Sequence, residues 1–262
     1  MRIYIGTYTQ GSASEGIYRC VFDPETGELV QAGVAARCVD PSFLALHPSG
    51  NTLYACNETV GDGDRVAGSV SAFAIEPDSS LTLLNQQSTG GALPCQLSVD
   101  HSGSMVMVAN YGGGSVASFA ILPDGALSSM ATLHQFYGSG PDARRQQAPH
   151  AHSIWPDPTN HWALACDLGT DRVRVFSMVP ARARLTPARM AFARVETGSG
   201  PRHLTFHPNG RWVYLLNEIR SAVTVFDWHA DLGVLAEVQH LRALPADFAG
   251  PNGAADIHLT PN

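Results

Sequence analysis

Charged side chains are scarce in this sequence, and their signs are unbalanced. Asp, Glu, Lys and Arg make up 15% of the 262 residues, compared with about 25% in an average soluble protein. Together with 44% hydrophobic residues, this scarcity excludes a coiled coil, a charged linker and a disordered chain. The formal net charge of −7 has the wrong sign for a general nucleic-acid binder and disfavours docking on an anionic membrane. We therefore expect a globular protein with no nucleic-acid partner and no membrane partner.

Signals for membrane insertion, export and cross-linking are missing as well. No apolar run approaches the roughly 18 residues that a membrane span needs. The N-terminus has the alternating pattern of a strand, not a charged segment followed by an apolar signal core. The five cysteines are scattered and include no CxxC pair, which favours reduced thiols over a disulfide framework. These observations predict a cytoplasmic protein.

A repeat of roughly fifty residues organises the chain. Four segments of equal length align without gaps: PSFLALHPSGNTLYACNE from Pro41, PCQLSVDHSGSMVMVANY from Pro94, AHSIWPDPTNHWALACDL from Ala151 and PRHLTFHPNGRWVYLLNE from Pro201. Each segment is followed by two more strand-like stretches with turn residues between them. Four-stranded antiparallel units at this spacing are typical of a β-propeller.

The repeat predicts one all-β domain, a β-propeller of about five blades, over residues 1–262. We expect a partial blade over 1–40, full blades over 41–93, 94–150, 151–200 and 201–253, and the first strand of a further blade over 254–262. Two arrangements fit this division. The chain is either an incomplete part of a longer ring, or a five-bladed ring in which the last segment completes the first blade.

The repeat also predicts which side chains meet. The first strand of a blade lines the central channel, so equivalent positions at its start form a ring around one mouth. These positions are Ser42, Cys95, His152, Arg202 and Ala255. The ends of the second strands form a neighbouring ring of Asn57, Asn110, Asp167 and Asn217, followed by Glu58, Tyr111, Leu168 and Glu218. Long loops open at the same mouth, over Thr59–Gly68, Gln135–His150 and Leu244–Gly253, and such concave mouths favour ligand pockets.

Residues that depart from the repeat are the stronger candidates for chemistry. His152, Arg202 and Glu218 break the repeat at their positions, or nearly so, whereas the Asn or Asp at the end of each second strand recurs and more often caps its own turn. A buried Arg–Glu pair can also be purely structural. His150 and His152 alternate on a strand, as metal ligands do, but no third ligand lies at a suitable spacing. We expect no metal and no cofactor.

The sequence resembles a known family in several segments along its whole length. These segments are Ile5-Gly6-Thr7-Tyr8-Thr9, Val108-Ala109-Asn110-Tyr111 with Gly114-Ser115-Val116, Pro149-His150-Ala151-His152-Ser153, Gly200-Pro201-Arg202-His203 with His207-Pro208-Asn209-Gly210, Asn217-Glu218, and Ala255-Asp256-Ile257-His258-Leu259-Thr260-Pro261. They look like the bacterial 6-phosphogluconolactonases of the seven-bladed β-propeller lactonase type, which are related to fungal carboxy-muconate lactonizing enzymes. The resemblance implies a ring of seven blades and so favours the incomplete arrangement.

The resemblance also implies a reaction and a site. The reaction is hydrolysis of 6-phosphogluconolactone, a small anionic sugar lactone, to 6-phosphogluconate in the pentose phosphate pathway. The family's proposed active site contains a histidine, two arginines and a glutamate, which implies catalytic roles for His152, Arg202 and Glu218; the second arginine has no counterpart before Asn262. Either His152 or Glu218 would be the general base, and Arg202 would stabilise an oxyanion or hold the phosphate. The expected substrate-binding residues are Asn110, Tyr111, Asn217 and His150.

Two other functions stay open from the sequence. A cycloisomerase that closes a muconate to a lactone would use Arg202 to grip a carboxylate and His152 or Glu218 to move a proton. A propeller without catalytic activity would bind a partner at the same mouth, because a fold alone does not determine function. Arg144 and Arg145, in the loop before His150, are interpreted as solvated charges or as a grip on an anionic substrate.

Overall fold

A computed structural model describes residues 1–61 and 67–260 of the chain. The fold is an all-β propeller, as the repeat predicted, with one three-stranded sheet and four four-stranded sheets in which every pairing is antiparallel. Helical structure in the described residues is limited to two short 3-10 turns, Leu168–Thr170 and Pro180–Arg182. None of these residues forms a helix that is long and apolar enough to cross a membrane.

The strands of each sheet follow one another in chain order. The first sheet contains β1 (Arg2–Ile5), β2 (Gly16–Phe22) and β3 (Leu29–Arg37). The second contains β4 (Pro41–Leu46), β5 (Thr52–Asn57), β6 (Ser69–Ile75) and β7 (Leu81–Ser88), and the third contains β8 (Pro94–Val99), β9 (Met105–Asn110), β10 (Ser115–Ile121) and β11 (Leu127–Gln135). The fourth contains β12 (Ala151–Pro156), β13 (Trp162–Asp167), β14 (Arg172–Val179) and β15 (Arg184–Arg194). The fifth contains β16 (Pro201–Phe206), β17 (Trp212–Asn217), β18 (Ala222–His229) and β19 (Val234–Arg242), so each four-stranded sheet lies within one of the expected blade ranges.

One type of hairpin joins the first and second strands of the repeats. Gly210 lies between β16 and β17 with φ +70°, a left-handed conformation that glycine adopts without steric cost. In the fourth sheet Asn160 takes the equivalent place with φ 61°, which asparagine tolerates better than most residues. Each first strand therefore reverses direction at one end of its sheet, and its start lies beside the end of the second strand at the other end.

The hydrophobic cores lie between neighbouring sheets. The core between the fourth and fifth sheets, for example, packs Leu164 and Val175 against Leu215 and Phe226, all of which are almost completely buried. Burial of such a side chain contributes about 1.5–3 kcal/mol. The first strands are also linked directly, because the Ser153 hydroxyl donates a hydrogen bond of 2.7 Å to the Arg202 carbonyl of the next sheet. This packing holds the starts of successive first strands side by side.

The last described residues differ from the expectation. Residues 254–260 are not a strand, because a strand needs a pairing partner and no described segment pairs with them. They instead bind the fifth sheet, where the Arg202 Nε donates to the Ala255 carbonyl at 2.7 Å. No strand in the described residues pairs with the free edge of β1, so residues 254–260 do not complete the first sheet as the five-bladed ring requires. Residues 261–262 lie outside the described residues.

Candidate active site

A register shift recurs at the start of every first strand in the four-stranded sheets. In the fourth sheet Ala151 pairs with Asp167 and Ser153 pairs with Cys166, which leaves His152 without a partner of its own. The same shift leaves out Ser42, Cys95 and Arg202 in the other three sheets. A bulge of this kind re-aims a side chain. Four members of the ring predicted from the repeat therefore share one backbone feature.

These side chains line a cavity at the predicted mouth. Its volume is about 440 Å³, which falls within the range of small-molecule pockets. The lining residues are Tyr8, Ser42, Phe43, Glu58, Cys95, Tyr111, Arg145, His152, Arg202, His203, Ala255 and Asp256. The cavity therefore contains all five members of the predicted ring.

Glu218 lies beneath the cavity wall and holds two guanidinium groups. It is only 6% exposed, and its backbone N–H donates to the Gly200 carbonyl at 2.8 Å, which fixes the turn after β17. Arg145 Nη2 donates to Oε1 of the carboxylate and Arg202 Nη1 donates to Oε2. Burial alone would raise the pKa of Glu218, but the hydrogen bonds from the two arginines outweigh it and hold the pKa below its ordinary value. Glu218 is therefore an anion at neutral pH with both oxygens engaged.

His152 is a neutral imidazole beside this carboxylate. Its Nε2 lies 3.6 Å from Glu218 Oε2, and its Nδ1 lies 3.7 Å from the Cys95 Sγ. Burial, followed by the positive charge of Arg202, lowers the pKa of His152 from 6.5 to about 3. The imidazole therefore has an unprotonated ring nitrogen at neutral pH. A pKa this low makes it a weak base, and the Glu218 carboxylate opposes the lowering because it stabilises the imidazolium.

The first two sheets contribute a different part of the wall. The Tyr8 hydroxyl donates to Glu58 Oε2 at 2.8 Å, and burial together with this contact raises the pKa of Tyr8 to about 12. The Tyr8 phenol therefore stays protonated. Glu58 follows β5 as Glu218 follows β17, so one repeat position supplies a carboxylate to two parts of the mouth. The expected loop over Thr59–Gly68 lies partly outside the described residues, at positions 62–66.

Asn110 and Asn217 do not line the cavity, which corrects the expectation that they contact a substrate. Both are completely buried and serve their own sheets. The Asn217 amide donates to the Thr224 hydroxyl at 2.9 Å, and the Asn110 amide donates to the Ser115 hydroxyl at 3.0 Å. A polar side chain that recurs at this strand end, Asn in three sheets and Asp in the fourth, satisfies local groups, as the turn-capping interpretation of these positions predicted.

Tyr111 and His150 pack against each other, with Tyr111 in the cavity wall and His150 behind it. Tyr111 lines the cavity, and its ring stacks on His150 with centroids 4.4 Å apart. The His150 Nδ1 also lies 3.0 Å from the Tyr111 carbonyl oxygen. His150 is 7% exposed and outside the lining, so it supports Tyr111 and does not reach a substrate directly.

In the described residues no group of three or more His, Cys, Asp or Glu side chains is arranged to hold a metal ion.

Several lining residues were not among the predicted site residues. The sequence leaves two interpretations of Arg145 open, a solvated charge or a grip on a substrate, because it does not show what the long loop over Gln135–His150 contacts. His203 and Asp256 follow predicted ring positions by one residue, and their side chains meet, with His203 Nδ1 2.9 Å from Asp256 Oδ1. Burial lowers the pKa of His203 although the Asp256 carboxylate opposes the shift. The sequence could have indicated His203 and Asp256 only through their adjacency to the ring positions Arg202 and Ala255.

Comparisons with known proteins decide the family. The family model described as "Lactonase, 7-bladed beta-propeller" matches residues 2–262. The chain belongs to this lactonase family. A 6-phosphogluconolactonase of Bacillus subtilis is 33% identical over 258 residues, which cover 98% of this chain and 71% of that protein.

Two solved structures support the same assignment. A candidate 6-phosphogluconolactonase of Bacteroides fragilis is 38% identical with a TM-score of 0.89 and covers 99% of this chain and 71% of that one. A periplasmic gluconolactonase of Pseudomonas aeruginosa is 34% identical with a TM-score of 0.89, with 98% and 72% covered. The lactonase chain thus has five sheets in its described residues, in a family described by seven blades.

Proposed function

We propose that this lactonase hydrolyses 6-phospho-D-glucono-1,5-lactone to 6-phosphogluconate, a step of the pentose phosphate pathway. The observation that carries the proposal is the cluster at the mouth, where the neutral His152 lies 3.6 Å from the Glu218 carboxylate and Arg202 shares that carboxylate. The names of the Bacillus subtilis and Bacteroides fragilis relatives support this choice of substrate.

In this mechanism His152 is the general base. It takes a proton from water as the water oxygen bonds to the lactone carbonyl carbon. Glu218 is a weaker candidate, because both of its oxygens accept hydrogen bonds from arginine. Its role is to stabilise the developing imidazolium of His152. Proton transfer by a positioned group contributes about 10²–10⁴ in rate.

Arg202 stabilises the oxyanion that forms on the carbonyl oxygen. Its Nε and Nη1 are held by the Ala255 carbonyl and Glu218, which fixes the guanidinium plane before the substrate arrives. When the tetrahedral intermediate collapses, the bond between the carbonyl carbon and the ring oxygen breaks. The proton on His152 then moves to the ring oxygen, which leaves a carboxylic acid and a hydroxyl group, and the acid releases its proton to the solvent to become the carboxylate.

An activity assay with one matched pair of variants tests the proposal. We expect the wild-type chain to hydrolyse the phosphorylated lactone above the spontaneous rate and Arg202→Ala to lower kcat by about 10²–10³, as the loss of an oxyanion donor does. Arg211→Ala is the control. Arg211 follows the hairpin at the opposite end of the fifth sheet and pairs there with Asp227. This variant should keep kcat within about threefold of the wild type.

Three outcomes would contradict the proposal. Equal activity of the two variants would remove Arg202 from the chemistry. Turnover of a carboxy-muconate but of no lactone would favour the cycloisomerase. Absence of turnover on either substrate by folded protein would favour a binding propeller.

We also propose that the protein acts in the cytoplasm, where reducing conditions keep its five unpaired cysteines as thiols. Cell fractionation against a periplasmic marker tests this location, and recovery with that marker would contradict it.

A further inference from the structure

The proposed reaction gives no role to Arg145, although its side chain lines the cavity. It lies between β11 and β12 and lines the cavity. Its side chain is 43% exposed, compared with 26% for Arg202. The contact with Glu218 uses Nη2 of Arg145, so other N–H groups of the guanidinium remain to bind a ligand.

The loop that carries Arg145 is fixed from the inside by Gln146. This side chain is fully buried, and its amide donates to the Leu168 carbonyl and to the Asp171 carboxylate, both at 2.8 Å. Packing is tight as well, since a Cβ added to Gly140 would lie 2.6 Å from the Gln146 side chain. The position of Arg145 is therefore set before a substrate binds, which reduces the entropy cost of binding.

Glu218 holds the two arginines on either side of one carboxylate. Arg145 binds Oε1 and Arg202 binds Oε2, so this wall carries two positive charges for one negative charge. Their relation to the base differs, because Arg202 binds the same Glu218 oxygen, Oε2, that lies 3.6 Å from His152 Nε2, whereas Arg145 binds Oε1. Arg202 is therefore the arginine next to the base, and Arg145 is the arginine nearer to the rim.

We propose that Arg145 is a specificity-determining residue that binds the phosphate of the substrate and leaves Arg202 to the lactone carbonyl. In the phosphorylated lactone the carbonyl carbon and the carbon that bears the phosphomethyl group are bonded to the same ring oxygen. The oxyanion and the phosphate thus lie on neighbouring parts of the molecule, as the two guanidinium groups lie on either side of Glu218. A phosphate monoester carries about −1.5 to −2 charges at neutral pH, and a guanidinium binds such an anion by paired charge-assisted hydrogen bonds. This inference rests on the proposed function.

The test compares two lactones that differ only in the phosphate. We expect Arg145→Gln to raise KM for 6-phosphogluconolactone by about 10- to 100-fold, the value of a hydrogen bond to a charged group. KM for unphosphorylated gluconolactone should rise much less, and any change in kcat that follows from the lost contact with Glu218 should be the same for both lactones. Arg145→Lys keeps the charge and should recover part of the loss.

Arg144→Gln is the matched control. Arg144 is the adjacent residue of the same loop. Its backbone N–H donates to Asp142 Oδ1 at 2.8 Å, and the Arg145 N–H donates to the same oxygen at 3.1 Å. The Arg144 side chain is exposed and lies outside the cavity lining. This variant should leave KM for both lactones within about threefold of the wild type. An equal rise in KM for both lactones in Arg145→Gln would assign Arg145 to the support of Glu218. An unchanged KM for both would make Arg145 a solvated charge. Both results would overturn the proposal.

A binding measurement separates this proposal from the proposed function. Calorimetry with 6-phosphogluconate and with gluconate requires no turnover. We expect the wild type to prefer the phosphorylated acid and Arg145→Gln to lose that preference. If the wild type has the preference but hydrolyses no lactone, the proposed function fails and the phosphate site stands. If the wild type binds both acids equally, the phosphate site fails even where lactones are hydrolysed.

Discussion

The two rings at the mouth come from the same repeat, but their side chains have different roles. At the ends of the second strands, Asn57, Asn110, Asp167 and Asn217 are at most 1% exposed and bind groups of their own sheets or adjoining turns. At the starts of the first strands, the four bulge residues share a backbone feature but not a side-chain type, and all of them line the cavity. The comparison shows how a repeated fold separates the residues that maintain geometry from the residues that vary chemistry. Substitutions in the two rings should therefore affect different measurements.

The largest effect is expected from the ring of unlike residues. His152→Asn removes the proposed base while an amide replaces the imidazole, and it should lower kcat for lactone hydrolysis by about 10²–10⁴. Steady-state assays at neutral pH measure this loss, and circular dichroism verifies the fold.

Cys95→Ser is the control in the same ring. Cys95 has the same bulge in the preceding sheet, and burial raises the pKa of its thiol, so it is not a thiolate nucleophile at neutral pH. Activity should stay within about threefold of the wild type. A loss in Cys95→Ser as large as that in His152→Asn would show that the Cys95 thiol, which the proposed mechanism does not use, is also needed for activity.

The opposite result is expected in the ring of recurring residues. Asn217→Ala removes the hydrogen bond to the Thr224 hydroxyl, which is completely buried, and should lower the free energy of unfolding by about 1–3 kcal/mol. Gln239→Ala, an exposed position on β19, should change it by less than about 0.5 kcal/mol. Urea unfolding measures both. A change of KM in Asn217→Ala with unaltered stability would return Asn217 to the substrate-binding residues.

The difference between the rings also explains how much of the site was predictable from sequence. The repeat alone brought His152, Arg202 and Glu218 to one mouth, because equivalent positions of successive sheets are neighbours in a propeller. The burial of Asn110 and Asn217 was suggested by their recurrence but obscured by their neighbours Tyr111 and Glu218. Arg145 was not predictable in this way, since it lies in a long loop outside the four aligned segments. Its contact, Glu218, is 73 residues away in the sequence. The strand expected from residue 254 depended on a pairing partner that a sequence pattern does not supply.

The pH dependence of stability also distinguishes the two rings, because Asn217 does not titrate and His152 does. The folded chain lowers the pKa of His152 from 6.5 to about 3. As the pH falls below 6.5, the unfolded state therefore binds a proton that the folded state does not. The contribution of His152 to stability is fully present above pH 6.5 and is lost as the pH falls toward 3, by at most about 1.4 kcal/mol per pH unit.

Thermal or urea unfolding of the wild type and His152→Asn at pH 7, 6 and 5 tests this linkage as a difference between two curves, because the other titrating groups are common to both proteins. We expect the wild type to lose stability faster than the variant as the pH falls. Asn217→Ala should instead run parallel to the wild type at every pH, since it removes no titrating group. Parallel curves for His152→Asn would mean that the imidazole protonates equally well in the folded and unfolded states. In that case burial and Arg202 would not lower the pKa of His152 in the folded chain.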